Sequence, residues 1–359
     1  MSYLLAFLGF AALVLLHEFG HFAAAKAVGM RVERFSLFFP PHVFKLKRGE
    51  TEYAIGTIPL GGYVRITGMN PNEEIPEAVV ARAYFKMAVW KRIVVIAAGP
   101  LMNVLVAFAI LFGLFLHFGV AHGTTRVDTV ERGSVAATVL RPGDRLIAVD
   151  GVRGGPKALG SQVASHKCAG KPTDGCRAAT AAVLLVERDG KPVTLKAVPR
   201  YDAAAGRARL GFSFAVHRTD VGPGAAARES TTTMVDITTS TVSAISRLVY
   251  SSQARHQVSG VVGGYEVTRQ SVAFDWAQAL YVLAIISLSL ALVNLFPFLP
   301  LDGGHIFWAL AERVRGRPIP YSVLERASAV GFILVIALFA IGLSNDIGRL
   351  TGEGFHVTR

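Results

Sequence analysis

The sequence predicts a polytopic α-helical membrane protein with four transmembrane helices, a β-hairpin on the cytoplasmic side and one mainly β domain outside the cytoplasm. Of its 359 residues, 52% are hydrophobic and only 17% are charged, whereas about a quarter of the residues in a soluble protein are charged. Four apolar stretches are long enough to cross a bilayer. The net charge of +12 fits basic residues beside membrane spans better than a nucleic-acid-binding surface, so we expect no nucleic acid partner.

The distribution of Lys and Arg predicts the orientation of the spans. These residues are concentrated at 29–91 and again at 313–326. Because short basic loops stay in the cytoplasm, both termini and the inserted domain should lie outside it. The four predicted spans cover residues 3–28, 93–120, 276–296 and 327–343. The predicted parts are the first half of a membrane core at 1–122, a folded domain at 123–200, a linker with an amphipathic helix at 201–275, and the second half of the core at 276–359.

An H-E-x-x-H motif lies inside the first predicted span. His17 and His21 are about one helical turn apart, so their imidazoles share one face and can hold one metal ion. Glu18 lies beside them, where its carboxylate can accept a proton from water. Residues 3–16 carry no charge, and ionisable side chains at membrane depth are costly and usually functional. We therefore favour a metal site over two histidines that only pack between helices.

The third predicted span ends in a loop that is broken by prolines and carries a carboxylate. Pro297 and Pro300 interrupt the helix and free backbone groups, which only protein or a water-filled cavity can satisfy. Asp302 follows, and a carboxylate buried there needs a cation. His305 is the alternative ligand, but it falls on the helix that resumes after the loop. Two imidazoles and the Asp302 carboxylate would leave a fourth position open, as in catalytic zinc sites, so one Zn2+ is the expected cofactor.

Two shorter patterns concern the neighbourhood of the spans. Residues 52–59 and 62–67 alternate in polarity with the period of strands, and Gly61 lies in a turn signal between them. They predict a β-hairpin that either dips toward the membrane or is exposed to solvent. Asn103, which follows Gly99 and Pro100 in the second span, is expected to support the site through an interhelical hydrogen bond rather than to act directly in catalysis.

The inserted domain has a recognisable order of turns and strands. Residues 141–151 form a turn, a short apolar strand and a second turn, and two later strands are joined through an Asp-Gly hairpin signal. This pattern resembles a PDZ domain, a fold that binds extended peptides at a strand edge. Cys168 and Cys176 flank a polar, turn-rich segment of the domain. Outside the cytoplasm the pair is expected to form a disulfide, whereas the alternative, a metal site with His166, lacks further ligands nearby.

Taken together, the motifs resemble those of the site-2 proteases, bacterial intramembrane zinc metalloproteases of which one group carries PDZ domains. They are H-E-F-G-H at 17–21, G-G-Y-V-R-I at 61–66, G-P-L-M-N at 99–103, R-P-G-D-R-L at 141–146 and N-x-x-P-x-x-x-L-D-G at 294–303. The resemblance implies that His17, His21 and Asp302 are the zinc ligands and that Glu18 is the catalytic base. Many relatives have their two loop prolines closer together than Pro297 and Pro300, a departure that concerns the substrate groove.

The resemblance also implies how a substrate is bound. Asn294, in the same loop as Pro297, would hold the substrate backbone. The membrane-associated hairpin would pair with an unwound substrate helix through Gly61, Gly62, Tyr63 and Val64. Expected partners are the lipid bilayer and single-span membrane proteins such as anti-sigma factors, which would be cut after another protease has removed their outer domain. The location would be the bacterial inner membrane, with the active site toward the cytoplasm.

Two other functions fit parts of the sequence. A catalytically silent membrane scaffold could use the PDZ-like domain to recruit partners, but it would have no need of Glu18 beside two metal ligands. A metal transporter should carry more ionisable residues in its spans than one H-E-x-x-H motif and one Asp.

Overall fold

The structure, a computed structural model, describes residues 2–69, 73–203, 205–250 and 260–351. The chain forms two compact units, one made of Met1–His117 with Pro223–Arg359 and the other of Phe118–Gly222. The α-helices are α1 Ser2–Ala27, α2 Glu77–Val80, α3 Val89–Phe118, α4 Pro156–Ala164, α5 Pro223–Tyr250, α6 Val261–Phe274, α7 Trp276–Asn294, α8 Asp302–Arg315 and α9 Tyr321–Thr351. The strands are β1 Val32–Arg48, β2 Thr51–Ile66, β3 Val120–Val130, β4 Arg145–Val149, β5 Val152–Arg153, β6 Ala182–Arg188, β7 Lys191–Ala197, β8 Arg200–Asp202, β9 Arg207–Arg209 and β10 Phe212–Thr219.

Within the described residues, four helices are long and apolar enough to cross a membrane. They are Ser2–Ala27, Val89–Phe118, Trp276–Asn294 and Ser322–Gly348. The four predicted spans are therefore confirmed as helices of membrane-spanning length. The last helix extends beyond the predicted limits at both ends, because a span predicted from hydropathy ends at polar residues, whereas a helix can continue through Ser344 and Asn345.

Strands β1 and β2 form a β-hairpin, but its turn differs from the prediction. The chain reverses at Gly49, which has a φ of 62°, and not at Gly61. The two segments that we expected to pair with each other, 52–59 and 62–67, both fall in β2, which ends at Ile66. They lie on opposite sides of the first half of β1, where Phe35 is paired with both Val64 and Tyr53. Alternating polarity predicts which residues form strands, but it does not specify which strand segments become neighbours.

Glu50, in the turn of the hairpin, anchors the sheet to the end of α1. Its carboxylate accepts hydrogen bonds from the Arg82 guanidinium at 2.7 and 2.8 Å and from Lys26 Nζ at 2.6 Å. The Arg82 hydrogen bonds, followed by that of Lys26, lower the pKa of Glu50 to about 2.

Glu50→Gln is expected to lower the melting temperature of the detergent-solubilised protein at neutral pH, and this deficit should shrink in acid. A carboxyl group whose pKa is depressed in the folded state stabilises the fold above its unfolded pKa of 4.5 and loses this contribution as the pH falls toward about 2. Melting curves of both proteins between neutral pH and about pH 3 measure the effect. Glu74→Gln, at an exposed position in the segment between α1 and α3, is the control. A deficit that stays constant down to the lowest pH would contradict the assignment.

The second unit contains an antiparallel sheet of six strands, in the order β10-β3-β4-β6-β7 with β5 paired to β4. Its core contains Val127, Leu146, Leu159, Leu184 and Val186, among other buried residues. The predicted boundary at residue 200 differs from the structure, because β10 pairs with β3 and so belongs to the sheet. Only from Pro223, where α5 begins, does the chain leave this unit.

The two cysteines of the second unit are bonded to each other. The Cα atoms of Cys168 and Cys176 lie 6.0 Å apart. The ring of His166 instead contacts Asp150 Oδ2 at 2.8 Å and Thr180 Oγ1 at 3.0 Å. The alternative of a metal site built from the two sulfurs and His166 therefore finds no support in these contacts.

Candidate metal centre

Two imidazoles and one carboxylate converge between α1 and the start of α8. His17 Nε2 lies 3.3 Å from His21 Nε2, and Asp302 Oδ2 lies 3.3 Å from the first nitrogen and 3.4 Å from the second. Both histidines are buried. Within the described part of the chain, no other group of three or more His, Cys, Asp or Glu residues has its ligand atoms within 4.8 Å of one another.

These distances fit a single zinc ion. Ligand atoms held at about 2.0–2.1 Å from zinc in tetrahedral directions are about 3.3 Å apart. Asp302 Oδ2 is buried and receives no hydrogen bond from the described residues. His21 donates its Nδ1 proton to the Val95 carbonyl at 2.9 Å, since a carbonyl can only accept, so a neutral His21 ring turns the lone pair of Nε2 toward Asp302. Electron-rich atoms that face one another in a buried site call for a cation.

A glycine in α3 makes room for one of the candidate ligands. A Cβ atom on Gly99 would overlap the His21 ring, with Nε2 as the nearest atom. The space beside Gly99 is therefore occupied by a candidate ligand. Small residues commonly allow such close approach between membrane helices.

The loop between α7 and α8 directs Asp302 toward the histidines. A Cβ atom on Gly303 would overlap the Leu295 carbonyl, so the loop can fold over the start of α8 only because this residue lacks a side chain. The structure brings Asp302 into the group of three ligand atoms and leaves His305 outside it.

A partly buried ion pair connects α8 to α3. The Arg92 guanidinium donates to both carboxylate oxygens of Glu312, at 2.9 and 2.6 Å. Arg92 is only 9% exposed, so the pair is held in a fixed bidentate geometry. No local sequence pattern predicts this pair, because its two residues are 220 positions apart.

Strand β2 runs beside the candidate base. A Cβ atom on Gly62 would lie 2.9 Å from Glu18 Cγ, and the Val64 backbone lies close to the Glu18 carboxylate. The Tyr63 hydroxyl lies 3.2 Å from an Arg34 nitrogen and 3.1 Å from His42 Nε2. The structure therefore brings the glycine and valine backbone to Glu18, whereas the tyrosine hydroxyl is engaged within the sheet.

Two asparagines approach His17 from opposite ring nitrogens. Asn294 Nδ2 lies 3.5 Å from His17 Nε2, and Asn103 Nδ2 lies 3.1 Å from His17 Nδ1. The interhelical contact expected of Asn103 is thus present, and the partner is a candidate ligand. Pro297 is exposed in the loop, and Gly61 lies against the Phe39 ring.

Known proteins with similar sequences are enzymes by name. The sequence pattern of peptidase family M50 matches residues 5–338. Zinc metalloprotease Rip1 of Mycobacterium tuberculosis and the protein of the same name in Mycobacterium bovis are each 30% identical to this chain, over 93% of its length and 94% of theirs. The similarity therefore includes both parts of the membrane unit and the domain between them.

Proposed function

Because the chain belongs to peptidase family M50, the site-2 protease family, we propose that it is an intramembrane zinc endopeptidase that cuts single-span membrane proteins within their transmembrane segments. The observation that carries this proposal is the convergence of the ligand atoms of His17, His21 and Asp302, 3.3–3.4 Å apart and buried in a unit of apolar helices. A protease site at membrane depth can act on peptide bonds that soluble proteases do not reach.

Each residue of the site has a role in peptide-bond hydrolysis. His17, His21 and Asp302 would hold zinc, which when bound activates water and polarises a carbonyl. Glu18 accepts the proton of the attacking water and returns it to the nitrogen of the leaving amine. The Asn294 amide, close to His17 Nε2, donates a hydrogen bond to the substrate backbone.

Strand β2 would hold the substrate in an open form. The carbonyls of a transmembrane helix are engaged in its own hydrogen bonds, so the scissile bond becomes accessible only after local unwinding. Residues 61–64 of β2 can add the unwound segment as a further strand. Because Gly62 and Val64 adjoin Glu18, a segment paired there would lie within reach of the base.

The rest of the chain would control access and orientation. We place both termini and the unit Phe118–Gly222, as a PDZ-like domain, outside the cytoplasm, with the metal site toward the cytoplasmic side. A single-span protein such as an anti-sigma factor that has already lost its outer domain is the expected substrate. The pattern of basic loops at 29–91 and 313–326 supports this orientation.

Outside the cytoplasm, Cys168 and Cys176 should be oxidised. The bond closes a short loop, and the chain-entropy relation gives about 2.5 kcal/mol of stabilisation for a loop of this size. Protein from native membranes should resist alkylation until it is reduced, and reduction should lower the melting temperature of the wild type but not that of a Cys168→Ser, Cys176→Ser variant. Two thiols that react freely before reduction would contradict the assignment.

Reconstitution in liposomes with a single-span reporter tests the proposed activity. We expect cleavage at a bond inside the apolar segment, located by mass spectrometry, to stop after treatment with a zinc chelator and to resume when zinc is added back. Cleavage that is unaffected by metal removal, or that occurs only outside the apolar segment, would refute the proposal. A reporter that is bound but never cut would favour the scaffold.

A further inference from the structure

Asn103 has an unusual position for a polar side chain in an apolar helix. It is fully buried in α3, its Nδ2 lies 3.1 Å from His17 Nδ1, and its Oδ1 finds no hydrogen-bond partner among the described residues. Its backbone carbonyl accepts a hydrogen bond from the Ser287 hydroxyl at 2.9 Å. The side-chain amide of Asn103 can therefore interact with His17, while its backbone carbonyl connects α3 to α7.

The chemistry of His17 sets a requirement for this amide. If Nε2 is to give its lone pair to a cation beside Asp302, the ring proton must be on Nδ1. A buried N–H needs an acceptor, and the acceptor that the Asn103 side chain offers is Oδ1. When Nδ2 faces His17, the amide donates a hydrogen bond to Nδ1. This contact matches the opposite tautomer, in which Nδ1 is unprotonated and Nε2 carries the proton and can donate it to Asp302.

We propose that Asn103 is a positioning residue that selects the metal-binding tautomer of His17 by rotating its amide. With the nitrogen toward His17, the proton is on Nε2, and with the oxygen toward His17, the proton is on Nδ1. A half-turn of the amide exchanges these two states, because oxygen and nitrogen have nearly the same shape. An amide can support both states, whereas a carboxylate supports only the second and an aliphatic side chain supports neither.

Two variants of similar size separate this role from simple packing. Asn103→Leu removes the acceptor, and loss of such a partner typically weakens metal binding about 10- to 100-fold. Asn103→Asp keeps an acceptor, so zinc affinity should equal or exceed that of the wild type. If Asn103 served only packing, the order would be reversed, because leucine suits an apolar helix and a buried carboxylate does not.

The test is a zinc titration of the full chain in detergent, with a chromophoric chelator as competitor and with melting curves to identify folded variants. Ser287→Ala removes the hydrogen bond from the Ser287 hydroxyl to the Asn103 backbone carbonyl and leaves the side-chain amide of Asn103 intact. This variant should bind zinc like the wild type. Unchanged zinc affinity in a folded Asn103→Leu protein would overturn the proposal. This result would be sufficient even if Asn103→Asp does not fold. Weakened zinc binding in Ser287→Ala equal to that in Asn103→Leu would overturn it as well.

This inference rests on the proposed function, but the two fail differently. A wild-type protein that takes up no zinc would refute the proposed function. A wild type that binds zinc, alongside variants in the wrong order, would refute only the role of Asn103.

Discussion

Glu18→Gln is expected to lower the rate of reporter cleavage by about 10²–10⁴-fold, the usual contribution of a general base, and to leave zinc binding unchanged. The amide keeps nearly the same shape and its contact with β2, but it cannot accept a proton at neutral pH. None of the three candidate ligand atoms belongs to Glu18, so metal uptake should not depend on it. Cleavage kinetics and bound zinc, measured on the same preparation, check both parts.

His21→Ala is the matched comparison on the same helix. It removes one of the three ligand atoms, so it should lose both zinc and cleavage. Equal cleavage by Glu18→Gln and the wild type would exclude the proposed mechanism. Loss of zinc from Glu18→Gln would instead mean that Glu18 helps to hold the metal.

Gly99→Ala is expected to weaken zinc binding by about tenfold or more and to reduce cleavage in parallel. The added methyl group would occupy the space of the His21 ring and would meet Nε2, the candidate ligand atom, first. Either the ring moves or α1 and α3 separate, and inserting a methyl group into a well-packed core costs about 1–3 kcal/mol. Zinc titration and the melting temperature together distinguish local displacement of His21 from general loss of packing.

Gly113→Ala provides the control within the same helix. A Cβ atom there meets nothing within 4 Å, so the substitution should leave zinc binding and cleavage unchanged and slightly favour the helix. Wild-type zinc affinity in Gly99→Ala would show that the His21 ring does not need the space that the structure gives it.

Features that depend on neighbours in the chain were predictable. The spacing of His17 and His21 places both rings on one helix face, because the period of the helix is known without any other part of the fold. The uncharged segments similarly predicted the four long helices, since a bilayer requires a minimum apolar length. Asp302 could be proposed because a carboxylate after a proline-broken span needs a cation.

Features that depend on distant partners were not predictable in the same way. The alternation in β2 identified strands, but the turn at Gly49 and the double pairing of Phe35 follow from how the strands pack. The domain limit at residue 200 was set too early, because the partner of β3 lies after it in the chain.

The candidate centre shows the same division at the scale of single atoms. Residue order alone indicates the types of ligand and the base, because metal binding and proton transfer depend on local chemistry and helical period. Only the tertiary structure brings Asp302 to the histidines, opens space for His21 at Gly99 and sets Asn103 against the far nitrogen of His17. These contacts join residues on different helices, so their positions depend on the packing of the whole membrane unit and not on any local pattern.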